Sequence, residues 1–118
     1  MKKFMAIYTG SAAGRADWDR LSAEERGNRQ AAGMRAWREW GAAHRDAIVE
    51  GGGPLGKTKR ASKQGISDVR NHMAAYVIVQ AESHEAAAQL FESHPHFSIF
   101  PGDGVEIMEC LPVPGEAR

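Results

Sequence analysis

The chain has 118 residues, enough for one domain with a genuine core and too few for two. Hydrophobic residues make up 42% and charged residues 25%, ordinary globular proportions that exclude a wholly disordered chain. Fifteen basic residues balance fifteen acidic ones, so the charge favours neither a nucleic acid nor any other polyanionic partner, and little self-repulsion opposes self-association.

Cys110 is the single cysteine, which rules out an intrachain disulfide framework. The apolar run near Phe4 is too short for a signal peptide, and no stretch approaches a membrane span, so a cytoplasmic location without a membrane partner is expected.

Phe4 to Tyr8 is a compact apolar run closed by Thr9-Gly10-Ser11, the pattern of a buried strand. Residues 10–20 read as a loop anchored by Trp18. Ser22 and Glu25 form a capping box, which predicts a long helix to about His44 or Arg45 with Met34, Trp37, Trp40 or Gly41, and His44 on its apolar face. Gly27, Gly33 and Gly41 each cost such a helix roughly 1 kcal/mol relative to alanine, so close packing is expected at some of them. Ala47 to Val49 reads as a second strand, and Gly51 to Gly56 as a break in regular structure. Residues 57–72 are polar; Lys57, Lys59, Arg60 and Lys63 suit a weak edge strand.

Met73 to Ala81, rich in β-branched and small residues, is the clearest strand. Ser83 caps a second helix running to about Glu92, with Pro95 as its stop. Gly102 to Gly104 is a turn before a last strand, Val105 to Leu111, with Val105, Ile107 and Glu109 on one face and Glu106, Met108 and Cys110 on the other. The order βαβ, βαβ predicts an α+β, ferredoxin-like fold: one domain with a four-stranded antiparallel sheet and two helices on one face. Strands apolar on both sides predict a cover for the other face, and a second copy is the simplest one.

Three stretches, with the Lys3 to Tyr8 strand, resemble the YCII-related (DGPF-domain) family. They are Gly51-Gly-Gly-Pro-Leu-Gly-Lys-Thr-Lys59; Ala75-Tyr-Val-Ile-Val-Gln-Ala81 with Ser83-His-Glu-Ala-Ala87; and His94-Pro-His-Phe97 followed by Gly104-Val-Glu-Ile-Met108. The resemblance implies a ferredoxin-like subunit paired into a dimeric α+β barrel, and little about activity. Some members of the wider family are thought to use a His–Asp pair. Here its histidine position falls near Ala36 and Trp37, its Asp-Pro step is His94-Pro95, and Gln64-Gly-Ile-Ser-Asp68 occupies the place of the Asp-Gly-Pro-Phe signature, so that pair is not carried over.

Histidine carries the remaining chemistry. His94 and His96, two residues apart, are placed either to share a metal or to act as acid and base near neutral pH; the plainer reading is a helix cap and a surface residue. His44 with Trp37 and Trp40 suits either a ligand pocket or a satisfied core edge. His72 and Asp68 lie in or near the irregular segment, where loops on a rigid scaffold often carry function. The first functional expectation is a small molecule held between sheet and long helix by Trp37, Trp40, Tyr76, His72 and Asp68, with acid–base, lyase-like chemistry by His94, His96 and His44 and no cofactor. The others are a non-catalytic homodimeric module that binds a ligand or a protein, and metal binding through His94 and His96.

Overall fold

In the computed structural model, which describes residues 1–115, Lys2–Thr9 forms β1 at the heart of a sheet. Phe4, Ala6 and Tyr8 alternate inward and are almost fully buried, as a period of two requires. Met73–Ala81 (β5) lies antiparallel on one side of β1 and Gly104–Glu109 (β6) on the other; Ile48–Pro54 (β2) closes the far edge, giving the order β2-β5-β1-β6. Each βαβ pair thus brackets a strand of the other, the interleaving expected of a split βαβ chain.

Facing residues in an antiparallel pair share a face of the sheet. Tyr8 opposite Ala75 and Val105, Ala6 opposite Val77 and Ile107, and Phe4 opposite Val79 make the helix-covered face. Ala87 and Phe91 complete that core, with Trp37, Trp40 and Leu90 packed against it. The predicted alternation of β6 holds: Val105 and Ile107 face the core, and Met108 pairs with Met5 on the opposite face.

The long helix, α2, covers Ala23–Ala43, and both halves of its capping box form. His44 is its C-cap. Gly33 is the buried residue of α2 and lies under the Phe100 ring, whereas a Cβ on Gly27 or Gly41 would meet nothing within 4 Å. Close packing therefore explains one of the three glycines.

Several expectations are corrected. Residues 10–20 are not a loop: Ala12–Asp19 is a helix, α1, capped by Ser11 Oγ, which accepts from Gly14 N–H at 3.0 Å. The alanines carry this helix without a periodic apolar stripe, so periodicity does not reveal it. Trp18 does anchor the segment, against Phe100 at 6.1 Å between ring centres.

The glycine run does not end β2 at Val49. The strand continues through Gly51–Gly53 to Pro54, and Gly52 takes a φ of 64° where the register to β5 shifts, the behaviour of a bulge glycine. Residues 57–72 are not an edge of the main sheet. Thr58–Ser62 (β3) and Gly65–Val69 (β4) form a separate two-stranded hairpin, with Lys59 Nζ 2.7 Å from Asp68 Oδ1 across it.

The second expected helix is shorter: α3 spans His84–Gln89 under the Ser83 cap. Pro95 opens a further short helix, α4 (Pro95–Ser98), rather than only stopping α3. A proline lacks the amide that a first helical residue leaves unbonded, so this is a natural place for one. The last strand ends at Glu109, with Cys110 and Leu111 beyond it and exposed. Among the described residues no helix is long and apolar enough to cross a membrane.

Candidate functional site: a cleft between the sheet and the long helix

A cavity of about 520 Å³ opens between α2 and the β2–β5 side of the sheet. Its walls are Met34, Trp37, Trp40 and Gly41 from α2, Ile48, Gly51, Gly53 and Pro54 from β2, Ala75, Tyr76 and Val77 from β5, and Phe100; Tyr8 of β1 also lines it. Gly41, Gly51 and Gly53 border open space: a Cβ at any of them would meet nothing within 4 Å. Arg38, exposed, is the single charged residue on the wall among the described residues. Volume and lining are those of a site for a compact, apolar small molecule.

The two indoles are fixed. Trp40 Nε1–H donates to the Leu90 carbonyl at 2.7 Å, and its ring lies 5.1 Å from Phe91. Trp37 packs against Tyr8 at 5.0 Å and Phe100 at 6.0 Å. On the sheet face away from the helices the Tyr76 hydroxyl donates to Glu50 Oε2 at 2.6 Å, and this bond raises the phenol's pKa.

The histidines sit behind this wall. His94 is wholly buried between Trp37, 4.6 Å away, and Trp40, 4.7 Å away, and its Nε2 lies 3.3 Å from the Tyr8 hydroxyl. Its Nδ1 accepts the His96 backbone N–H at 2.9 Å, so the capping role foreseen for His94 belongs to α4 rather than to the helix before it. Burial, reinforced by His96 and then His44, lowers the His94 pKa from 6.5 to about 4.

His96 is buried rather than on the surface, and its Nε2 donates to the Thr9 carbonyl at 2.7 Å. Burial lowers its pKa, against the opposing pull of that carbonyl and of Asp103. With three of their four ring nitrogens engaged by protein partners, the two imidazoles do not present a shared pair of free donors. No group of three or more metal-ligating side chains occurs among the described residues.

Of the residues singled out from sequence, Trp37 and Trp40 meet in the cleft; Tyr76 borders it from β5, but its side chain shares the opposite sheet face with Ile7. His94 reaches the cleft only through Tyr8, and His96 and His44 are not on its wall. His44 is half-buried at the end of α2 with its ring 5.1 Å from Trp40. His72 is exposed, and Asp68 is exposed on the hairpin, paired with Lys59; neither joins the cleft. Tyr8 is the residue that sequence reasoning passed over. Its signal was there, since an inward-facing tyrosine on a central strand needs a hydroxyl partner.

No family model matches the sequence, and no curated protein matches it either. Among solved structures the chain is similar to 5-chloro-2-hydroxyhydroquinone dehydrochlorinase from Burkholderia phenoliruptrix AC1100, in a complex with 2,5-dihydroxybenzoquinone. The TM-score is 0.51 at 14% identity, over 92% of this chain and 91% of that one. At that identity the likeness is one of fold, and the shared architecture is an α+β chain with a four-stranded antiparallel sheet.

Proposed function

We propose that this chain is a YCII-related protein that binds a small, flat, largely apolar molecule in the cleft between its sheet and α2. The observation that carries the reading is the 520 Å³ cavity walled by Trp37, Trp40 and Phe100. Rigid indoles offer a ring-shaped ligand extensive contact at little entropic cost. The solved structure of similar fold holds a small quinone, which is compatible with such a ligand.

Acid–base, lyase-like chemistry is the second reading, favoured by the contact between Tyr8 and His94. The subunit works as a homodimer in this proposal. Met5, Ile7, Ile78 and Met108 share the sheet face opposite the helices, and Met5 and Met108 are 37% and 43% exposed. A second copy laid on that face would bury them.

Indane, a flat bicyclic hydrocarbon, tests the cleft. Trp37 and Trp40 line it, so indane is expected to change tryptophan fluorescence saturably. Gly41→Leu would fill the cavity from the α2 side, where a Cβ meets nothing within 4 Å, and is expected to abolish the response. Saturable binding that Gly41→Leu leaves unchanged would place the site elsewhere.

A further inference from the structure

The hydrogen bond between Tyr8 and His94 has a direction, set two residues further along the chain. The His96 backbone N–H donates to His94 Nδ1 at 2.9 Å. A ring nitrogen that accepts carries no proton, and neutral imidazole has one, so the proton of His94 is on Nε2. Nε2–H therefore donates to the Tyr8 oxygen, 3.3 Å away. The imidazolium form, with protons on both nitrogens, could not accept from His96, and burial holds His94 neutral near pH 7.

Tyr8 is left with its own proton to place. Burial raises its pKa, so the phenol keeps that proton. Among the described residues the Tyr8 hydroxyl has no hydrogen-bond partner besides His94, whose Nε2–H is a donor, so none accepts the phenol's proton. The tyrosine lines the cleft, and its hydroxyl meets an imidazole held between two cleft-lining indoles, Trp37 and Trp40.

We propose that the Tyr8 hydroxyl is the specificity-determining donor of the cleft, directed by His94 toward a carbonyl oxygen on a flat cyclic ligand. This rests on the cleft being the ligand site. A carbonyl suits it better than a ligand hydroxyl: the surrounding wall is apolar, so a hydroxyl would carry a second polar hydrogen with no partner, whereas a carbonyl accepts and leaves nothing unpaired. His94 is a positioning residue: it occupies one lone pair of the Tyr8 oxygen and cannot itself accept the Tyr8 proton.

The test compares 1-indanone with indane, which has the same rings and no oxygen, in the native protein and in Tyr8→Phe, by tryptophan fluorescence. Loss of one neutral hydrogen bond predicts that Tyr8→Phe weakens 1-indanone about 5- to 10-fold and leaves indane within about twofold. Equal change for both ligands, or none for either, would overturn the donor assignment while the cleft stands. Failure of indane to bind the native protein would overturn the cleft reading and this proposal with it. A second measurement needs no variant: long-range proton–nitrogen correlation spectra of the native protein are expected to show His94 as the Nε2–H tautomer. The Nδ1–H tautomer would mean that Tyr8 spends its proton on His94, and the proposal would fall.

Discussion

The ring of Phe100 lies where a side chain on Gly33 would go: a Cβ built there falls 2.5 Å from Phe100 Cε2. Phe100 also packs on Trp37 and lines the cleft, so this contact between α2 and the segment after α4 sets one wall of the site.

Alanine at two glycines of α2, Gly27 and Gly33, separates helix propensity from packing. At Gly27, where nothing lies within 4 Å, alanine should stabilise the fold by up to about 1 kcal/mol. At Gly33 the same propensity gain is opposed by overpacking of about 1–3 kcal/mol, because the Phe100 ring must shift to make room. Urea denaturation should therefore rank Gly27→Ala above the native chain and Gly33→Ala below it. Gly33→Ala at or above native stability would show that Phe100 moves freely.

Gly52 is the more severe case. It has a positive φ of 64°, and a Cβ there would strike the Tyr76 carbonyl of the neighbouring strand. Backbone cannot yield as a side-chain end can, and the left-handed conformation adds about 1 kcal/mol of its own. Gly52→Ala should cost more than about 2 kcal/mol in a thermal melt and disturb Tyr76 and Gly53 on the cleft wall. A melting temperature close to native would contradict the bulge geometry.

The sheet was legible in the sequence because its strands are short apolar runs between turn residues, and α2 because its capping box is a local signal. The capped α1, the strand through three glycines and the β3–β4 hairpin were not. They depend on a polar alanine-rich helix, a bulge and pairing between two polar segments, none of which writes an apolar period. At the site, Trp37 and Trp40 were visible as large residues on the predicted apolar face of α2, whereas Tyr76, also expected in the cleft, turns its side chain to the other face of the sheet. The depth of the histidines was not: whether His94 faces a cleft or lies behind its wall depends on which ring packs over it, and two indoles decide that.

Stability should fall as pH drops below neutral. His94 has its pKa lowered from 6.5 to about 4, first by burial and then by the neighbouring imidazoles of His96 and His44. In that window the unfolded chain takes up a proton that the native state refuses, so acid favours unfolding. The whole shift corresponds to about 3 kcal/mol, complete as pH approaches the folded value and absent above the unfolded one. His96, also lowered, acts in the same direction. Urea midpoints measured from about pH 7.5 to about pH 4.5 should decline steadily. A flat profile would mean that His94 is reached by water in the native state.

Pairing of subunits is testable on the sheet face away from the helices. Met5 and Met108 face each other across β1 and β6, exposed beside Ile7 and Ile78. A charge placed there meets water in a monomer and costs little. Against a second copy the same charge is desolvated in an apolar interface, at several kcal/mol. Met5→Glu and Met108→Glu should each leave the melting curve of the subunit cooperative while lowering the mass seen in sedimentation equilibrium from twice the chain to one. The cleft lies on the other face of the sheet, so indane binding should survive in these variants. Native protein that sediments as a single chain would remove the dimer from the proposal and leave the cleft standing.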